Sequence, residues 1–121
     1  MELKKIRKKS KKGYEGYNKN IMLATLTTNG LYLNKKLSEK IKQYKYAEIS
    51  YACTDDGLMV VLKLLKKPTA DSYKIRYNNY SSALIYCTQL SNLLVTTPRI
   101  STNKIELKDD ELWLYFRKEE V

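Results

Sequence analysis

The stretch NGLYLNKKLSEKI, residues 29–41, decides the fold of this chain. It follows a β-rich run at residues 21–28. Asn29-Gly30 is a strong signal for a two-residue hairpin turn, because both residue types accept positive φ. Residues 31–33 are therefore expected to form the return strand of an antiparallel pair.

A short helix is predicted directly after this strand pair. Asn34 is the expected N-cap, since its side chain can accept hydrogen bonds from the first free backbone N–H groups of a helix. Residues 35–43 form the helix, with Leu37 and Ile41 one turn apart on the same face.

A second strand pair follows the predicted helix. Residues 44–53 alternate in polarity, residues 54–57 (TDDG) are typical of a tight turn, and residues 58–65 form an apolar return strand. The first half of the chain is thus predicted to be ββαββ.

The second half repeats this order. The predicted elements are one strand over residues 73–77, a strand at 82–86, a helix at 89–94 capped by Thr88, a strand at 99–107, a turn at 109–111 and a final strand at 112–116. An offset of 53 aligns residues 31–33 with 84–86, and an offset of 54 aligns the two acidic turns.

These patterns predict an α+β, mainly β fold. We expect a tandem ββαββ repeat with pseudo-twofold symmetry and two short helices, because one half alone is too small to bury a stable core. Residues 1–18 are predicted to be a basic flexible arm. Residues 19–121 are predicted to form a single globular domain made of two half-repeats, 20–67 and 72–117.

The order of motifs in residues 21–65 resembles the swapped-hairpin module of AbrB and MazE-type proteins. A glycine turn, a short strand, a lysine-rich helix and an acidic-glycine hairpin follow one another in the same order, and residues 73–116 match more loosely. Asn34 stands where that family usually has proline. The chain is also similar to small phage-type proteins. The resemblance implies DNA binding by a basic face, with two halves of one chain replacing two protomers.

Positive charge is concentrated at the N-terminus. The chain has 23 basic and 13 acidic residues, a net charge of +10, and eight of the basic residues lie within positions 1–20. Like-charge repulsion should keep this segment extended, and phosphates are the natural polyanion to order it. The predicted nucleic-acid-binding residues are Lys4, Lys5, Arg7, Lys8, Lys9, Lys11 and Lys12, together with Lys74 and Arg76 on one strand face.

Residues typical of enzymes are scarce. The chain has no histidine, which excludes nucleophile systems and metal sites that depend on it. The carboxylates at residues 55–56 and 109–111 are interpreted as turn residues. We therefore predict no enzyme, no cofactor and no metal. Cys53 and Cys87 have apolar flanks and are expected to be two buried, reduced thiols, with one disulfide as the alternative.

Two functions remain open from the sequence. The favoured one is a non-enzymatic nucleic-acid-binding protein for duplex DNA, of the kind a phage uses to regulate transcription. The alternative is a protein-interaction module, either an inhibitor of a host factor or a component of an assembly such as a virion. The strand tyrosines are expected to pack across strands, with a binding platform as the alternative. No membrane contact is expected, and the predicted location is intracellular or virion-associated.

Overall fold

The computed structural model describes residues 21–79, 82–92 and 99–117, and most of them lie in strands. The prediction of a mainly β, α+β chain with two short helices is confirmed for these residues. The strands are β1 (Ala24–Thr27), β2 (Gly30–Leu33), β3 (Tyr46–Thr54), β4 (Gly57–Leu65), β5 (Ser72–Lys74), β6 (Arg76–Tyr77), β7 (Ala83–Ile85), β8 (Arg99–Ser101), β9 (Lys104–Lys108) and β10 (Glu111–Arg117), and the helices are α1 (Lys35–Ile41) and α2 (Thr88–Ser91).

The first sheet has the order β6-β7-β2-β1-β8, with antiparallel neighbours throughout. Thr27 pairs with Gly30, so the hairpin turn consists of Thr28 and Asn29, and the predicted Asn29-Gly30 turn is wrong by one residue. Gly30 has another role. Its φ is 146°, and a Cβ at this position would lie 2.1 Å from the carbonyl oxygen of Ile85. The close approach of β2 to the end of β7 therefore requires glycine.

The second sheet has the order β5-β3-β4-β10-β9 and is also antiparallel. Its two hairpins confirm the predicted acidic turns. Thr54 pairs with Gly57, and Lys108 pairs with Glu111, which leaves two aspartates in each turn. Asp109 has a φ of 53°, a left-handed conformation that aspartate tolerates better than most residues.

The chain crosses between the sheets at two places where a single strand was predicted. Residues 73–77 divide into β5 of the second sheet and β6 of the first, with Ile75 buried between them. Residues 99–107 divide in the same way. The amide of Thr102 donates to Ala24 in the first sheet, and the amide of Asn103 donates to Tyr115 in the second, both at 2.9 Å. The alternation of polar and apolar residues continues through the first crossing and does not reveal it. At the second crossing the apolar positions shift by one residue between Ile100 and Ile105, across four polar residues.

Strands from the two halves of the chain meet in the middle of each sheet. In the first sheet Leu31 of β2 pairs with Ile85 of β7, which lies 54 positions later in the sequence. In the second sheet Val60 of β4 pairs with Leu114 of β10, again 54 positions later. The same offset therefore relates directly paired residues in both sheets.

Both sheets contribute to one hydrophobic core. Alternate residues of the central strands point into it, and so do the apolar residues of both helices. Its fully buried large side chains are Leu26, Leu31, Leu33, Leu37, Ile41, Val60, Leu62, Leu64, Ile85, Leu90, Leu112 and Leu114.

Asn34 fixes the start of α1, as predicted. Its Oδ1 accepts from the amide of Leu37 at 3.0 Å and from the amide of Leu23 at 3.1 Å, and its Nδ2 donates to the carbonyl of Ile21 at 2.6 Å. One buried amide thus joins the helix to the segment before β1. The helix ends at Ile41, two residues earlier than predicted.

The second helix has a different N-cap from the one predicted. Cys87 is the N-cap residue and makes no side-chain capping bond, whereas Thr88 lies inside the helix. Residues 93–94 of the predicted helix lie outside the described residues.

The prediction of two buried thiols is half wrong. Cys87 is buried, but Cys53 is exposed, and neither thiol is in a disulfide. Cys53 belongs to the same strand face as buried Ala47, but β3 extends past the core before it reaches residue 53. The strand β3 is longer than the part of it that packs on the core. The alternation of residues in the sequence does not show where this packing ends.

Candidate nucleic-acid interface

Backbone pairing gathers several exposed cations at one end of the second sheet. The amide of Lys45 donates to the carbonyl of Leu65 at 3.0 Å, and the amide of Ile75 donates to the carbonyl of Lys45 at 2.9 Å. These bonds place residue 45 between the chain segments that carry the other cations. We call this group the basic corner, and it consists of Lys42, Lys45, Lys66, Lys67, Lys74 and Arg76, all exposed.

The cations of the basic corner make no ion pairs with the part of the chain that the structure describes. Within residues 21–79, 82–92 and 99–117, no carboxylate lies in ion-pair distance of any of them. Two of them stand over aromatic rings instead. Lys45 Nζ is 5.1 Å from the centre of the Tyr77 ring, and the Arg76 guanidinium is 5.5 Å from that of Tyr86. The ring contacts hold these side chains while leaving their charge available to an anion.

The structure separates the two predicted cations of the folded part. Lys74 ends β5 of the second sheet and Arg76 begins β6 of the first, so the expectation that they share one strand face is wrong. They nevertheless remain neighbours on either side of Ile75.

Sequence reasoning missed Lys42, Lys45, Lys66 and Lys67. The lysine pair at 66–67 is a usable signal, because it directly follows the predicted strand at residues 58–65. The contribution of Lys42 and Lys45 becomes visible only when pairing joins residue 45 to residues 65 and 75. The seven predicted cations of the arm, Lys4, Lys5, Arg7, Lys8, Lys9, Lys11 and Lys12, lie outside the described residues.

The side of the second sheet that faces away from the core carries a group of apolar and aromatic side chains. Leu112 and Leu114 of β10 are buried in the core, so Trp113 and Tyr115 project to the opposite side. Pairing sets Val61 beside Trp113 and Met59 beside Tyr115. We call this group of four side chains the outer face, and each of its members is partly exposed.

A charged triad on the edge strand β9 borders the outer face. Glu106 accepts from Lys104 Nζ at 2.9 Å and from Lys108 Nζ at 3.1 Å. Lys104 Nζ lies 5.3 Å from the centre of the Tyr115 ring, and Lys108 Nζ lies 5.7 Å from that of the Trp113 ring.

The ion pairs of the triad shift the pKa values of two of its members. The hydrogen bonds from the two lysines lower the pKa of Glu106, and the hydrogen bond to Glu106 raises the pKa of Lys104. Both shifts favour the charged forms of Glu106 and Lys104, and the side chains of Lys104 and Lys108 remain 61% and 65% exposed.

A cleft of about 700 Å³ opens between β3, β5 and α2. Glu48, Tyr51, Asp71, Tyr73 and Cys87 are among its lining residues, and its described lining includes no lysine or arginine. The hydrogen bond with Cys87 raises the pKa of the Tyr73 hydroxyl, and the nearby Asp71 carboxylate adds to the shift. With two carboxylates and no cation, this cleft is unsuited to phosphate.

The described ranges contain neither a cluster of metal-ligating side chains nor a helix that could cross a membrane. No cluster of three or more carboxylate, cysteine or histidine ligands occurs among these residues. No helix there is long and apolar enough to cross a bilayer.

No known protein family, curated protein or solved structure matches this chain.

Proposed function

We propose that this protein is a non-enzymatic nucleic-acid-binding protein that binds duplex DNA through its basic corner and its N-terminal cations. The observation that supports this proposal is the absence of ion pairs at the basic corner among the described residues. Exposed, unneutralised lysines release counterions from DNA when they bind phosphates, and this release drives association. The basic N-terminal segment would add further phosphate contacts in the same way.

We further infer that the fold is a tandem repeat with a pseudo-twofold axis. Two pairings support it, because Leu31 with Ile85 and Val60 with Leu114 share one sequence offset. One edge pairing in each sheet also joins the two halves of the chain. β1 of the first half pairs with β8 of the second, and β5 of the second half pairs with β3 of the first. Such an exchange of strands is what the resemblance to AbrB and MazE-type proteins implies, and a duplicated basic scaffold suits a regulator of transcription.

Fluorescence anisotropy of a short labelled duplex, titrated with the full chain, tests this function. The expected result is binding at about 50 mM salt that weakens steeply toward 200 mM. The double variant Lys66→Gln/Lys74→Gln removes two cations of the basic corner and should weaken binding about tenfold.

A matched control removes the same charge elsewhere. Lys35→Gln/Lys36→Gln also lowers the net charge by two, but both residues lie in the first turn of α1, at the opposite end of the helix from Lys42. That distance is about 10 Å along the helix. The control should bind duplex nearly as well as the unmodified chain. Absence of binding at low salt, or equal losses in both variants, would refute a role for the basic corner.

A further inference from the structure

We propose that the outer face of the second sheet is a separate site for single-stranded nucleic acid. Bases stack on Trp113 and Tyr115, and the neighbouring phosphates bind Lys104 and Lys108. The inference rests on the proposed function for its ligand class, but it uses different residues from the basic corner.

The ring surfaces are positioned for stacking. Trp113 and Tyr115 are two residues apart on β10, so their side chains leave the same side of the sheet about 7 Å apart. The indole Nε1 of Trp113 is buried without a hydrogen-bond partner among the described residues. Because Trp113 as a whole is partly exposed, its accessible part is ring carbon surface. Ring surface stacks on any base without selecting a sequence.

The charges around the outer face favour nucleic acid over a protein partner. Lys63, Lys104, Lys108 and Arg117 are all exposed, and each lies on β4, β9 or β10. The partly exposed carboxylates of Glu48, Glu106 and Glu111 lie on the same side of the sheet, and only Glu106 makes ion pairs with these cations among the described residues. Protein interfaces are enriched in aromatic residues but depleted in lysine. Aromatic rings bordered by lysines are instead typical of surfaces that bind single strands, where stacking and phosphate contacts act together.

Glu106 occupies the position of a phosphate in the unbound protein. It holds both ammonium groups, and those groups lie over the two rings. An incoming phosphate competes with the Glu106 carboxylate for the lysines, and a base then takes the place of the ammonium group over each ring. Removing the Glu106 charge should therefore strengthen binding, whereas a purely structural triad would lose stability without gaining affinity.

Trp113 reports directly on this site, since it is the only tryptophan of the chain. Short oligothymidylate is added to the full chain while tryptophan emission is recorded with selective excitation. Stacking on the indole should quench the emission, and a duplex bound at the basic corner should leave it unchanged. Anisotropy of the same oligonucleotide, labelled, measures total binding in parallel.

Two variants should change the affinity for oligothymidylate in opposite directions. Tyr115→Leu keeps an apolar side chain beside Met59 but removes one ring, and it should weaken oligothymidylate binding about tenfold, in line with 1–3 kcal/mol per stacked base. Glu106→Gln keeps the size of the side chain and should tighten binding severalfold. Circular dichroism and thermal midpoints confirm that both variants fold. Duplex affinity should be nearly the same in both.

The outcomes separate this inference from the proposed function. Unchanged Trp113 emission while anisotropy reports binding would overturn the outer-face site and leave duplex binding intact. Full affinity in Tyr115→Leu would also overturn it. If neither single strands nor duplexes bind at low salt, both proposals fail.

Discussion

Leu31 lies directly opposite Ile85 on neighbouring strands of the first sheet, and both side chains are fully buried. This pair joins the two halves of the chain, because β2 and β7 come from different halves. The stability of the fold therefore depends on how closely these two strands approach.

Gly30→Ala should destabilise the protein severely. The added Cβ would lie 2.1 Å from the carbonyl oxygen of Ile85, a backbone atom, and φ at this position is 146°. We expect a loss of about 3 kcal/mol or more in the free energy of unfolding, measured by denaturant titration. Asn29→Ala in the adjacent exposed turn is the control, and it should change the free energy of unfolding by less than about 0.5 kcal/mol. Equal stabilities of the two variants would show that β2 and β7 do not approach as described.

Asn34→Ala should release the segment before β1 as well as the start of α1. The substitution removes the acceptor for Leu23 and Leu37 and the donor to Ile21. Loss of a helix cap costs about 1 kcal/mol, and buried groups left without partners add about 1–3 kcal/mol. Hydrogen exchange of the Leu23 and Leu37 amides should accelerate together. Asn34→Asp keeps the acceptor and should preserve protection at Leu37 better than alanine does; identical exchange in both variants would contradict this account.

Ionisation of the Tyr77 hydroxyl should lower the free energy of unfolding at alkaline pH. Its hydroxyl donates to the carbonyls of Ile41 at 2.9 Å and Tyr44 at 2.6 Å, and burial raises its pKa to about 12. The folded state disfavours the ionised form of Tyr77. The contribution of the neutral hydroxyl to the free energy of unfolding is therefore complete below the unfolded pKa of about 10, and it is lost as pH rises from 10 to 12.

Tyr77→Phe tests this by removing the hydroxyl. At neutral pH the variant should be less stable by about 1–3 kcal/mol, since two half-buried carbonyls lose a donor. Its stability should then fall less between pH 10 and 12 than that of the unmodified chain, measured by urea titration at each pH. Parallel curves for the two proteins would exclude Tyr77 as the titrating group.

The two cysteines should react at very different rates. Cys53 is exposed and Cys87 is 3% exposed. A thiol-specific chromogenic reagent should therefore modify one thiol rapidly in the native protein and the second only when the protein unfolds. Cys53→Ser should abolish the fast phase. A fast phase that persists in Cys53→Ser would mean that the cleft admits the reagent to Cys87.

The sequence predicts the local elements better than their assembly. The Asn34 cap, the two acidic turns and the mainly β content follow from short-range chemistry, and all are present in the described residues. The crossing at Ile75 does not follow, because the alternation of residues 73–77 runs through it unchanged. The crossing at Thr102 coincides with a change of parity between Ile100 and Ile105, a signal that the prediction of one continuous strand did not use. The basic corner was also only partly predicted. Lys74 and Arg76 were recognised from their strand, whereas Lys45 joins them through pairing between distant segments.

The salt dependence of duplex binding by the full chain tests the central claim most directly. The logarithm of the binding constant should fall linearly with the logarithm of salt concentration, by about 0.9 for each phosphate neutralised. Lys66→Gln/Lys74→Gln should reduce this slope by about 2, and Lys35→Gln/Lys36→Gln should leave it unchanged. Identical slopes in all three proteins, or no binding at about 50 mM salt, would contradict duplex recognition by the basic corner.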